Sequence, residues 1–180
     1  MIGPADESGS LELVEVGSLT LRDWVELTER DPDAFGHAEE GLVWRPKDRH
    51  ACLRDSDGRL VAAGGATVVA VEVGGQRFDV VGMGSLIVHR DLRGSGAMTR
   101  VADAMAQIAE RMGPARAMIF CLPRLTDMHR ARGYRPIDAQ VTVDQPDGPV
   151  VMTQTAMQRP LRADAVPWPA GPVAVQGLPF

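Results

Sequence analysis

The stretch from Gly82 to Met112 constrains this chain more than any other. An apolar run, Leu86-Ile87-Val88, gives way to the polar group His89-Arg90-Asp91, and a glycine-spaced turn, Arg93-Gly94-Ser95-Gly96-Ala97, follows. Apolar residues then recur at Met98, Val101, Ala102, Met105, Ile108, Ala109 and Met112, spacings that put one stripe on a helix. The order is strand, glycine-rich turn, helix. The first turn of a helix leaves backbone N–H groups unpaired, and the helix dipole adds partial positive charge there. Glycines at 94 and 96 remove side chains that would hold a ligand off the backbone, and Arg93 adds a full charge. Such a turn suits a phosphate or pyrophosphate; its other reading is a tight turn with no ligand. It is not a Walker loop, since no Gly-Lys-Ser/Thr ends it. It is not a dinucleotide-binding fingerprint either, since Ala97-Met98-Thr99 follows Gly94-Ser95-Gly96.

A length of 180 residues fits one domain. Aromatic residues are only 4%, so a core must be built from Val, Leu, Ala and Met. The net charge of −5 argues against nucleic acid as a main partner and suits a cationic or amine substrate. Cys52 and Cys121 lie in apolar runs without a C-x-x-C partner, which predicts two reduced, buried thiols in a cytoplasmic protein. No His/Cys cluster has zinc-ligand spacing, so no metal is expected. The first residues do not read as a signal peptide, and no apolar run is long enough to span a membrane.

Taken in order, residues 1–10 read as a disordered lead-in. Leu11 to Val16 reads as a strand, and Thr20 with Asp23 reads as a capping box for a helix ending near Asp31-Pro32. Residues 31–48 are irregular and acidic; they are either a solvated loop or a wall that holds an ammonium group through Asp33, Glu39 and Glu40. Strands follow at His50–Leu53, Leu60–Val73 and Phe78–Val88, turned by Asp57-Gly58 and Gly74-Gly75. Gly64-Gly65 suggests a bulge or bend in the second of them. After the central helix, Ala115–Leu122 reads as a buried strand parallel to the one ending at Val88. A short helix spans about Leu125–Arg132, and Ile137–Val143 with Val150–Met157 reads as a closing hairpin. The tail, residues 159–180, carries Trp168, Val173, Val175, Leu178 and Phe180, too apolar for a free segment. It should dock on the body, lining the acceptor site or forming a dimer contact.

The turn Arg93-Gly94-Ser95-Gly96-Ala97-Met98 resembles motif A of the GNAT superfamily of N-acetyltransferases, with Met98 where a small residue is usual. Gly133-Tyr134 resembles the end of that family's later aromatic-x-x-x-Gly-Phe/Tyr motif, with His129 at the usual tyrosine position. The resemblance covers about residues 11–158. It implies an α/β fold with a mixed central sheet of about seven strands, splayed at an acetyl-CoA cleft, with helices on both faces. It implies that acetyl-CoA pairs with backbone near Leu86, Ile87 and Val88 and that its pyrophosphate takes N–H groups from Gly94, Ser95, Gly96, Ala97 and Met98, with Arg93 nearby. The amine would attack the thioester directly. The family often has a Glu base on the strand before motif A; here Gly84 or Ser85 stands there. A backbone carbonyl, a water chain or the C-terminal carboxylate of Phe180 is left to take the proton. His129 is the candidate general acid and Tyr134 the alternative.

Within the family the layout is similar to the aminoglycoside 2′-N-acetyltransferases. The likeness lies in Asp91-Leu92-Arg93-Gly94-Ser95-Gly96, the helix ending at Gly133-Tyr134, and a tail with Trp168 and Gly171-Pro172-Val173. That resemblance implies a small cationic acceptor such as a kasugamycin-type aminoglycoside, hence antibiotic resistance. An amino acid or polyamine acceptor stays open. So does a non-catalytic acyl-CoA-binding module, which the missing strand carboxylate and Met98 would suit. Homodimerisation through the tail is a further expectation; nucleic acid and membrane partners are not expected.

Overall fold

The computed structural model describes residues 11–31, 33–36 and 38–180. The lead-in expected over residues 1–10 lies outside them, as do Pro32 and His37. In chain order the elements are β1 (Glu12–Val16), α1 (Leu21–Thr28), β2 (Arg49–Arg54), β3 (Leu60–Val73), β4 (Gln76–Val88), α2 (Ala97–Arg111), β5 (Arg116–Cys121), α3 (Thr126–Arg130), β6 (Arg135–Pro136), β7 (Val141–Val143), β8 (Val150–Val151), β9 (Thr155–Pro160) and β10 (Val173–Val175).

The spine is the long β3–β4 hairpin, paired from Val73↔Gln76 to Ala62↔Val88 around Gly74-Gly75. Both turn glycines have positive φ, 53° and 83°, which a side chain would resist. From this hairpin the mixed sheet runs β6-β9-β5-β4-β3-β10-β7-β8. β3 is long enough to carry two neighbours on its other edge: β2 along its first half and β10 along Val71–Val73. β4 and β5 are parallel, a pairing that needs a crossover, and α2 is that crossover.

Helices cover both faces. α2 buries Val101, Met105, Ile108 and Ala109 against Ala51, Leu53, Ala62 and Val81. α1 buries Leu27 against Cys52, Leu60, Ala63 and Ile87 on the opposite face. The Thr20/Asp23 capping box starts α1. Asp23 also accepts from Arg54 at 2.8 Å, which ties the helix start to β2. α1 ends at Thr28, earlier than the Asp31-Pro32 stop, because Glu29 and Arg30 take left-handed φ values of 53° and 62°.

The expected closing hairpin is built differently. Val141–Val143 pairs with Val150–Val151, but Thr155–Pro160 leaves that hairpin and pairs along the whole of β5. A two-residue strand satisfies few backbone groups, so β9 completes its hydrogen bonding on the uncovered edge of β5. The tail enters the sheet as β10, antiparallel to β3 and parallel to β7. Trp168 meets Phe78 edge to face at 5.6 Å, and Phe180 packs with Val80, Met118 and Val175. These tail residues pack inside the molecule, so they do not argue for a dimer contact.

Three glycines make this packing possible. The β3–β4 register shifts at Gly64, where a bulge or bend was expected, and a Cβ there would lie 2.1 Å from the Met105 sulfur, so the same glycine also leaves a gap that admits α2. A Cβ on Gly65 would lie 2.6 Å from Lys47 Cγ, and one on Gly82 would lie 2.4 Å from the Phe180 ring. Gly82→Ala should therefore lift Phe180 off β4 and lower unfolding free energy by about 1–3 kcal/mol in urea titration. An unchanged midpoint would mean that the ring is not held there.

Candidate active site

β4 and β5 stay paired only at Val81↔Ala117, Gly82↔Met118 and Met83↔Ile119, although β4 runs on to Val88 and β5 to Cys121. The separation has a local cause. The β3–β4 register shifts between Ala63 and Gly65, and Ser85 sits at φ 55°. One extra residue in β4 makes a bulge, which bends a strand away from its neighbour. The result is a cleft of about 630 Å³ with Met83, Gly84, Ser85 and Leu86 on one lip and Ile119, Phe120, Cys121 and Leu122 on the other. Among the described residues, no strand pairs with the β4 edge facing β5 beyond Met83, so an extended ligand can hydrogen-bond there as a strand would.

The glycine turn lies at the end of β4. Gly94 and Gly96 have φ of 85° and 86°, and among the described residues nothing beyond their chain neighbours lies within 4 Å of where their Cβ atoms would be. Ser95 N–H donates to Leu92 O at 3.2 Å, and Ala97 N–H to Ser95 Oγ at 3.4 Å. Among the described residues, the N–H groups of Gly94, Gly96, Met98 and Thr99 have no backbone partner. Four donors at an open helix start fit a diphosphate. Arg93 turns back, with Nε 3.5 Å from Val88 O. Met98 is half-exposed and lines the cleft.

His129 and Tyr134 meet on one side of the cleft, rings perpendicular and 5.8 Å apart. Burial, with Arg132 adding to it, holds the His129 imidazole below its ordinary pKa. At neutral pH the ring is therefore uncharged and offers one N–H donor. Burial pushes the Tyr134 phenol up, and its hydroxyl donates to the Met83 sulfur at 3.3 Å. The Arg159 guanidinium stacks over the Tyr134 ring at 5.2 Å.

Phe180 stands on the opposite side. Its ring packs 4.9 Å from Phe120, which meets Trp44 at 6.5 Å. Its terminal carbon and oxygen both lie 3.4 Å from the point where a Gly84 side chain would begin. Arg45 fixes the chain end. Its N–H donates to Pro179 O at 2.8 Å, its Nε to Leu178 O at 3.0 Å and its Nη2 to Gln176 O at 2.9 Å. Asp144 accepts from Gly177 N–H at 2.7 Å.

Of the acidic wall expected over residues 31–48, the described side chains of Asp33 and Glu40 do not line this cleft. Asp33 accepts from Ala38 N–H, and Glu40 accepts from Gln154 at 2.9 Å and from Thr153 at 3.4 Å. The side chain of Glu39 lies outside the described parts of the chain. The same segment contributes Phe35, Trp44, Arg45 and Lys47 to the cleft instead.

Lys47 is the residue that sequence reasoning missed. Gly65 and Gly84 are cross-strand partners, and the Lys47 stem lies in the trough they leave. Its Cγ is 2.6 Å from the Gly65 Cβ position and its Cε 3.7 Å from that of Gly84, so the stem crosses from β3 toward the cleft. Only 8% of the residue is exposed. Burial, with Arg45 adding to it, brings its pKa down from 10.5 to about 8. The facing glycines were the one signal in the sequence, and they say that something enters without naming it.

The sequence profile of the acetyltransferase (GNAT) family matches residues 17–134. The chain belongs to that family. No curated protein matches it by sequence. Solved GNAT structures share its fold. The GNAT family N-acetyltransferase YhbS from Escherichia coli, solved in complex with CoA, is 17% identical, with a TM-score of 0.57 over 92% of this chain and 90% of that one. Escherichia coli ElaA is 17% identical, with a TM-score of 0.56 over 83% of this chain and 99% of its own. A GNAT acetyltransferase from Staphylococcus aureus Mu50 is 10% identical, with a TM-score of 0.55 over 85% and 100%. Among the described residues, no helix is long and apolar enough to cross a membrane.

Lys47 gives this GNAT domain a measurable stability signature. Its folded pKa of about 8 lies below the unfolded 10.5, so the unfolded chain holds that proton more tightly. Stability from this group therefore rises as pH climbs from about 8 to 10.5, and below that window burial of the charge costs about 3 kcal/mol. Lys47→Met should be more stable than the parent at pH 7 by up to about 3 kcal/mol, and the gain should fade toward pH 10.5. A pH-independent difference in unfolding free energy would contradict the buried charge.

Proposed function

We propose that this chain transfers the acetyl group of acetyl-CoA to a primary amine of a small acceptor. One observation carries the reading: the terminal carboxylate of Phe180 lies against Gly84, on the strand where the family resemblance expects a carboxylate. The open N–H groups of Gly94, Gly96, Met98 and Thr99 would hold the diphosphate, and the free edge at Leu86, Ile87 and Val88 would pair with the pantetheine arm. Bound there, acetyl-CoA supplies a thioester carbonyl that the acceptor amine attacks directly.

The chain's own groups then divide the proton work. The Phe180 carboxylate takes a proton from the acceptor nitrogen, directly or through one water. The neutral His129 ring donates a hydrogen bond to the departing sulfur and stabilises its growing charge. Tyr134 holds the His129 ring in place, since its own hydroxyl is committed to Met83. The non-catalytic alternative drew on the missing strand carboxylate and on Met98; in this reading Phe180 would stand in for the first. An aminoglycoside-type acceptor draws no support from Asp33 or Glu40, whose carboxylates are used elsewhere.

Thiol release from acetyl-CoA across a panel of amines tests the reading. Turnover with at least one amine is expected, and a panel that is silent while acetyl-CoA binds would return the non-catalytic module. One glycine added after Phe180 keeps the ring but moves the carboxylate, and should lower kcat about 10²-fold or more. His129→Ala should lose about 10²-fold, and His129→Gln, which keeps an N–H donor, should retain most of it. Equal loss in the two His129 variants would contradict the hydrogen-bonding role.

A further inference from the structure

The acceptor side of the cleft carries two opposite charges that the fold does not use. Among the described residues, no carboxylate lies within ion-pair distance of Lys47, and its Nζ has only the Arg45 carbonyl, at 3.4 Å. Asp48, its sequence neighbour, accepts from Thr67 Oγ1 at 2.6 Å. The terminal carboxylate of Phe180 likewise has no cation in ion-pair distance among the described residues. Yet Lys47 Cε and the Phe180 carboxyl carbon lie 3.7 and 3.4 Å from one point, the absent Gly84 side chain. Around them stand the rings of Phe35, Trp44, Phe120 and Phe180.

A buried ammonium without a paired carboxylate is costly and is not what packing alone selects. A flexible side chain laid in a two-glycine trough is also not accidental filling, because each glycine removes contacts that a larger residue would make. The trough carries the charge to the cleft and holds it there. Resting on the acetyl-transfer reading above, we propose that the acceptor carries its own carboxylate and an apolar or aromatic body, as a free α-amino acid such as phenylalanine or leucine does. The acceptor carboxylate pairs with Lys47, its amine faces the Phe180 carboxylate, and its side chain lies among the rings. A polycationic acceptor meets Arg45 and Lys47 at the same place and is repelled by them.

The test compares acetyl transfer to phenylalanine and to phenylalaninamide by kcat/KM, in the parent, Lys47→Gln and Lys47→Arg. The parent should favour the acid by about tenfold or more, the value of one charge-assisted contact. Lys47→Gln should bring the ratio close to one, and Lys47→Arg should restore part of it. An amide equal to the acid in the parent, or a ratio untouched by Lys47→Gln, overturns the proposal. Calorimetry with N-acetylphenylalanine and its amide on the CoA-loaded protein separates this from the activity itself. The acid should bind about tenfold tighter or more, and only when Lys47 is present. Lys47-dependent binding without any transfer would sink the acetyltransferase reading and keep the carboxylate seat. Transfer to amines with equal binding of acid and amide would do the reverse.

Discussion

The contact between the last residue and the middle of β4 governs the rest of the site. Phe180 packs its ring on Gly82 and sets its carboxylate against Gly84, and both contacts exist because those positions lack side chains. The chain reaches that point only because β10 has entered the sheet between β3 and β7 and because Arg45 holds the tail carbonyl groups of Gln176, Leu178 and Pro179. A carboxylate on a free tail would spend little time at any one place. Here sheet pairing, a guanidinium clamp and an aromatic cluster restrict the Phe180 carboxyl group to one, the condition that the proposed proton transfer needs.

The cleft rests on a second constraint, the bulge at Ser85. It ends the pairing of β4 with β5 after Met83 and leaves backbone donors and acceptors facing an apolar gap. Unpaired backbone at that depth is unfavourable unless something pairs with it. The turn at Gly94–Gly96 has the same character, since the N–H groups of Gly94, Gly96, Met98 and Thr99 have no backbone partner among the described residues. These two features, spaced along one strand and the helix after it, call for one extended ligand that ends in phosphate.

Much of the fold could be read locally. The Thr20/Asp23 capping box, the Gly74-Gly75 turn, the strand ending at Val88 and the periodicity of α2 are signals of a few residues' range. The motif A turn and the Gly133-Tyr134 signature are signals of the same short range, and the proposed cofactor half of the site rests on them. The acceptor half is built over long range. Lys47 reads as a surface lysine in an acidic loop until Gly65 and Gly84 come together across two strands. β9 could be assigned to a hairpin or to β5 only by knowing which edge stood open. The acidic residues of 31–48 suggested a cation site because sequence shows charge and not direction: Glu40 turns to Gln154, and the same loop turns Trp44, Arg45 and Lys47 inward.

The central claim is that the terminal carboxylate belongs to the reaction centre. Carbon-13 NMR of the protein labelled at phenylalanine carbonyl carbons tests it directly, since the terminal carboxylate resonates apart from peptide carbonyls. Saturation with acetyl-CoA should move that resonance and alter its titration with pH, because the thioester would lie against Gly84. A terminal resonance that keeps its shift and its titration curve at saturating acetyl-CoA would remove Phe180 from the site and the mechanism with it.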